Sequence, residues 1–180
     1  MLHRHAGPAV AGSYTAGAVS GALVSGSALF VLSGLLAPIP DAARQVIALG
    51  LVCILLFHAL GIVCLELPQR AYQIPRETFT DDPPRAAFRF AFELGTGVRT
   101  FITAVSPYAL AVLLLLGLPR SLTDAALAAT AAAVGYGLGR SVVVASQSMR
   151  RTVAVEHPAQ WLRAADLLSL LTALAALIVL

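Results

Sequence analysis

Residues Phe92–Leu110 read FELGTGVRTFITAVSPYAL and run directly into AVLLLLGL, Ala111–Leu118. The second part is as apolar as lipid, whereas the first carries Glu93, Arg99, Gly95, Gly97, Thr100, Thr103 and Pro107. The fold turns on how this stretch crosses a bilayer. Residues 86–118 number 33, which is long for one span and short for two, since each needs about 20 residues. Gly95 and Gly97 lower helix propensity between the two charges. The reading is therefore one span, the third, with a broken or interfacial start.

The rest of the chain sets that span in context. Of its 180 residues 58% are apolar and 12% charged, about half the roughly 25% charge of a soluble domain. A small soluble protein needs more polar surface than this. Apolar blocks of spanning length also occur at about Ser13–Ala37, Arg44–Leu67, Leu122–Ala145 and Trp161–Leu180, each near the length of a bilayer crossing. The class expected is all-α, a polytopic membrane helical bundle with five transmembrane helices preferred and six as the alternative. It forms a single transmembrane domain over residues 1–180, with a Pro-rich cytoplasmic loop at 68–85. The first block, from about Ala9 to Ile39, exceeds a signal-peptide core and reads as a retained span, with cleavage as the minor alternative.

All twelve basic residues are arginine, and they mark the block ends. With five spans and a cytoplasmic N-terminus, Arg4, Arg70, Arg76, Arg85, Arg89, Arg150, Arg151 and Arg163 fall inside, and only Arg44 and Arg120 outside. The positive-inside rule favours that arrangement; six spans put Arg150 and Arg151 on the wrong side. The expected location is the cell membrane, multi-pass. The arginines form no basic face with base-reading groups, which excludes nucleic acid as a partner. A faint repeat at an offset of 78 sets HALG (His58–Gly61) on YGLG (Tyr136–Gly139), Gly17 on Gly95 and Phe30 on Tyr108. Transporters are often built from such repeats.

Two patterns point to helix contacts. Ser13, Gly17, Gly21 and Ser25 recur every fourth residue and share one helix face, with Ala18, Ala22 and Gly26 beside it. Small residues let backbones approach closely in lipid, where no hydrophobic effect drives helices together. Ala131, Gly135 and Gly139 invite the same reading in the fourth span. Packing is the plainer interpretation; a pore-lining face is the sharper one.

Ionisable groups at membrane depth are costly and need a partner or a purpose. Glu93 and Arg99 are six apart, on different faces of a regular helix, and meet only if the backbone opens at Gly95–Gly97. The structural interpretation is interfacial anchoring with Arg99 snorkelling. The functional one is a broken-helix site in which Glu93, Arg99, Thr100 and Thr103 face a polar cavity. His58 reads as a packed hydrogen-bond donor or as part of a proton path. Arg140 either snorkels or pairs with Glu93. Asp166 is spaced to pair with Arg163 at i,i+3, and Tyr14 and Trp161 suit interfacial anchors. Cys53 and Cys64, about three turns apart if both are in one helix, cannot bridge there. No metal-ligand spacing, phosphate loop or nucleophile elbow occurs, so neither enzyme activity nor a cofactor is expected.

From Gly95 to Leu110, GTGVRTFITAVSPYAL resembles the glycine-rich, Ser-Pro-bearing opening of a core helix in the CcdA/DsbD-type membrane electron carriers and in related actinobacterial membrane proteins of unknown role. The resemblance implies a scaffold of inverted three-helix repeats and favours six spans. That family passes reducing equivalents through a cysteine pair. Tyr108 stands here where a cysteine would follow Ser106-Pro107, and Phe30 at the matching position of the first repeat, so no redox residue carries over. The functional expectation is a transporter or export component for a small solute or ion, with Glu93 as carrier and Arg99 as counter-charge. The alternative is a non-catalytic anchor or assembly subunit with the lipid bilayer, a membrane-protein partner or a second copy as its company.

Overall fold

The computed structural model describes residues 6–67, 82–97, 104–117, 121–149 and 158–179. Among them are six helices and no strand: α1 Ala6–Leu35, α2 Asp41–Ala59, α3 Pro83–Thr96, α4 Ser106–Leu116, α5 Leu122–Met149 and α6 Pro158–Val179. Pro8 sits in the first turn of α1, where its missing N–H costs nothing. Short i→i+3 bonds from Leu36 to Ser33 and from Ala37 to Gly34 close the helix ahead of Pro38 and Pro40.

Helix α2 stops earlier than its apolar run suggests, at Ala59 rather than near Leu67. Gly61 takes φ +77°, a left-handed conformation that only glycine adopts readily. Its N–H donates to the His58 carbonyl, and the Ile62 N–H donates to the Phe57 carbonyl. This paired pattern is a Schellman termination. Residues beyond it, though apolar, are no longer helical.

The decisive stretch contributes to two helices. Asp82 caps α3 by accepting the Arg85 N–H, with Pro83 opening the helix. The end of the expected Pro-rich loop is thus already the start of a helix, while residues 68–81 lie outside the described ones. Gly97 ends α3 at φ +66°. Helix α4 begins at Ser106, so Pro107 lies in its first turn and breaks no helical bond. The stretch that a repeat offset of 78 would superpose on it, within α1, is one unbroken helix.

The contacts divide the chain into two compact units. The first combines α3 with α1 through Ser27 and α5 from Thr130. The second combines α2, α4 and α6 with the remaining parts of α1 and α5.

In the first unit α1 and α3 run parallel, because their contacts climb both helices in step. Gly17 meets Phe88, Gly21 meets Phe92, and Ser25 Oγ donates to the Thr96 carbonyl at 2.8 Å. A Cβ added at Gly17 or Gly21 would fall inside 3.0 Å of backbone carbonyl oxygens on α3. One added at Gly95 would strike the Ala18 carbonyl in return. Ala18, Ala22 and Ala91 are buried at this seam. Tyr14 is buried there too, its ring 6.2 Å from that of Phe90, rather than anchoring at an interface.

In the second unit α2 packs antiparallel to α4 and to α6. Arg44, at the start of α2, bonds the Gly117 carbonyl just past the end of α4, and its neighbour Gln45 bonds the Leu177 carbonyl near the end of α6. Val52 on α2 and Leu170 and Leu177 on α6 are the largest fully buried side chains of the core.

A candidate site built from helix ends

A helix leaves backbone N–H groups unpaired at its start and carbonyls unpaired at its end, and its dipole favours an anion at the first and a cation at the second. Helices α3 and α4 together present four such ends. Each of the four meets a charged side chain of the favourable sign. Asp82 caps the start of α3. Arg140, from α5, donates through Nη1 to the Leu94 carbonyl in the last turn of α3, at 3.4 Å. Asp166, from α6, accepts the Val105 and Ser106 N–H groups at 2.9 and 2.7 Å, one on each carboxylate oxygen. Arg44, from α2, donates through Nη2 to the Gly117 carbonyl at 2.7 Å.

The last two groups were read differently from sequence. Asp166 spends its carboxylate on backbone of α4, not on Arg163 three residues earlier. Arg44, expected only to mark the outer end of the second block, is 7% exposed. Its guanidinium lies 3.7 Å from Asp41, which is exposed. Both interactions join residues far apart in sequence through backbone atoms, and backbone carries no residue-type signal. Sign alone offered a hint: each charge lies on a helix that packs against α4.

The remaining candidate residues distribute as follows. Glu93 sits half-buried in the last turns of α3, its carbonyl accepting the Thr96 hydroxyl at 2.8 Å. Arg140 adjoins Leu94, the next residue, so Glu93 and Arg140 belong to one region of the first unit. Arg99, Thr100 and Thr103 lie outside the described residues. His58 belongs to the second unit and closes the end of α2. Its Nδ1 lies 3.0 Å from the Val63 carbonyl and 3.2 Å from the Leu65 amide, taking one or the other according to tautomer. That places it at a helix terminus, not in mid-span as the sequence suggested. Cys64 is past the end of α2, and both cysteines are free thiols.

Small residues split in the same way. Gly17, Gly21 and Ser25 occupy the seam already described, and Ser13 is half-buried one turn before Gly17. Gly135 and Gly139 do not pack: both are exposed, with no neighbour within 4 Å of an added Cβ. The packed ladder of α5 is two residues out of phase with them, at Ala133, Gly137 and Ser141. A Cβ at Gly137 would sit 2.7 Å from Val19 Cα. Among the described residues no three His, Cys, Asp or Glu side chains gather to hold a metal ion.

The described residues are all-helical in fold, and among them two helices, Pro8–Leu35 and Asp41–Ala59, are long and apolar enough to cross a membrane. Compared with known proteins, no family model, no curated protein and no solved structure matches the chain.

Proposed function

We propose that the chain is a five-span membrane protein that carries a small solute or ion along a polar path at its interrupted third span. The observation that carries this reading is that α3 ends at Gly97 and α4 begins at Ser106, with the ends of both helices held by Asp82, Arg140, Asp166 and Arg44. At membrane depth, non-helical backbone is tolerated only against protein or a water-filled cavity. Transporters place their sites at such interruptions. Glu93 and Arg140 flank the end of α3, and Glu93 is the carrier in this reading.

Several features support the membrane part. Only 22% of the apolar window of each spanning helix is buried, unlike the core helix of a soluble protein. Val31, Leu35, Val46, Ile54, Phe57 and Ile178 are exposed, a surface that water penalises and lipid accepts. Helices α3 and α4 have 14 and 11 residues, about 21 and 16 Å, so neither alone covers the roughly 30 Å of hydrocarbon. One interrupted span accommodates both.

Purified protein in proteoliposomes, challenged with a panel of labelled small anions, cations and neutral solutes, tests the reading. Flux of at least one, lost in Glu93→Gln with folding intact, is expected; no flux above empty vesicles for any of them overturns it. The second reading, an assembly subunit, draws on the exposed Ala131, Gly135 and Gly139 stripe. It requires a stable complex that survives loss of Glu93 and Arg99.

A further inference from the structure

Helix α3 is the most amphipathic of the six helices. One side, with Ala91 and Gly95, is buried against α1. Another carries Arg85, Phe88, Arg89 and Phe92, whose spacing of i, i+3, i+4 and i+7 puts them on one face. Arg85, Phe88 and Arg89 are exposed and Phe92 is half-buried. The Phe88 and Phe92 rings stack, with centroids 6.3 Å apart and planes 20° apart. Among the described residues no carboxylate forms an ion pair with either guanidinium. The acids nearest in sequence are Asp82, which caps the helix through the Arg85 N–H, and Glu93, half-buried one turn past Arg89. Two like charges one turn apart weaken a helix, so an anion supplied from outside stabilises this pair.

The packing of α3 on α1 fixes the depth of this face. Gly17 meets Phe88, Gly21 meets Phe92 and Ser25 meets Thr96, so Arg85 is level with Tyr14 and Arg89 with Ala18. Helix α1 ends at Leu35, and about 20 residues cover the hydrocarbon, which puts the other boundary near Ala16. Arg85 then stands among the headgroups. Arg89 lies within a turn of them, a distance its long side chain spans. Phe88 and Phe92 reach the acyl chains beneath. Basic and aromatic side chains combined on one amphipathic helix are the composition of a membrane interface. A guanidinium fork matches the oxygens of a phosphodiester. Anionic lipids concentrate at the cytoplasmic leaflet and attract basic side chains there, and the five-span arrangement puts this end of α1 on that side.

We infer that the face formed by Arg85, Phe88, Arg89 and Phe92 docks on anionic phospholipid of the cytoplasmic leaflet. The two guanidiniums take the headgroup phosphate and the two rings lie against the acyl chains, which fixes where the third span enters the bilayer. This rests on the membrane part of the proposed function and not on the carrier role of Glu93.

The test titrates the full chain in neutral detergent with phosphatidylglycerol or phosphatidylcholine and counts bound lipid by native mass spectrometry. Phosphatidylglycerol should bind in preference. Arg85→Gln and Arg89→Gln should each weaken its binding about fivefold, the worth of one basic side chain near an anionic surface. The double glutamine variant should lose the preference, and the double lysine variant, which keeps both charges, should retain most of it. Arg163→Gln removes an exposed arginine of α6 and should leave the preference unchanged. Equal binding of the two lipids by the wild type, or an undiminished preference in the double glutamine variant, overturns the inference. So does an equal loss in Arg163→Gln, which would make net charge alone the cause. Displacement of the lipid by inorganic phosphate at matching concentration also overturns it, because the occupant would then be a free phosphate. If the double glutamine variant fails to fold, the single variants and Arg163→Gln decide. Lipid preference without flux of any solute would remove the carrier reading and leave the docking face standing; flux without lipid preference would do the reverse.

Discussion

The carboxylate of Asp166 takes up two N–H groups that the start of α4 leaves unpaired, and the guanidinium of Arg44 takes up a carbonyl at its other end. Each interaction is charge-assisted, and each is lost by a single substitution. Asp166→Ala should cost about 3 kcal/mol, since hydrogen bonds to charged groups are worth about 1.5–3 kcal/mol each. Asp166→Asn should cost about half as much, because an amide offers one acceptor oxygen and turns a donor toward the second N–H. Denaturant unfolding in detergent checks the order; equal stability of the Ala and Asn variants would show that the bond retained by the amide oxygen contributes nothing. At Arg44 the expected order is wild type, then Lys, then Met. Lysine keeps a cation near the Gly117 carbonyl and the Asp41 carboxylate, whereas Met leaves the carbonyl without its donor. The Met variant should lose about 1–3 kcal/mol. A Met variant as stable as wild type would mean that an apolar side chain of similar volume replaces the buried charge without loss.

Helix–helix contacts are decided by small residues in register, and here the sequence was legible in one helix and ambiguous in the other. In α1 a four-residue ladder of Gly and Ser stands out, and it is the ladder that packs on α3. Helix α5 is so rich in Ala and Gly that two ladders of equal quality exist, Ala131-Gly135-Gly139 and Ala133-Gly137-Ser141. Composition cannot choose the phase; only the approach of α1 to Gly137 does. Helix ends were legible where proline stops them, as at Pro38 and Pro40, and illegible where a left-handed glycine stops them within an apolar run, as at Gly61. The break at Gly97 was readable because polar residues surround it. The charged caps on α4 were not, because their partners are backbone atoms. These differences yield a paired prediction. Gly21→Leu should cost about 3 kcal/mol or more by overpacking, because a side chain there drives into the α3 backbone, whereas Gly135→Leu should leave the monomer's melting temperature nearly unchanged. A Gly135 variant that destabilises as much as the Gly21 variant would place a partner on the exposed face of α5. Gly97→Ala should cost about 1–2 kcal/mol, the penalty of a Cβ in the left-handed region.

At the scale of the molecule, the proposed five-span arrangement and its six-span alternative differ in the direction they require of each helix. If α3 and α4 were separate full spans, they would run in opposite directions, and α2 and α4 would run the same way. Within the second unit α2 and α4 instead run antiparallel, because the start of α2 touches the end of α4. Helix α6 runs with α4: the ends of both adjoin the start of α2, and Asp166 meets the start of α4. Alternation through five spans, with α3 and α4 as halves of the third, gives α2 one direction and α4 and α6 the other. The arginine distribution favours the same count. In that arrangement the two chain termini lie on opposite sides of the membrane, with the N-terminus and the segment at 68–81 inside. Reporter fusions at the N-terminus, within 68–81 and after Leu180 should therefore read inside, inside and outside. A C-terminal reporter active on the cytoplasmic side would restore six spans. It would also require α3 and α4, at about 21 and 16 Å, to cross a bilayer that each is too short to cover, so bilayer thinning or helix extension within 98–103 would have to follow. Cys64, just past the end of α2, checks the cytoplasmic N-terminus that both counts share: a membrane-impermeant maleimide should label it in inverted vesicles and spare it in intact cells.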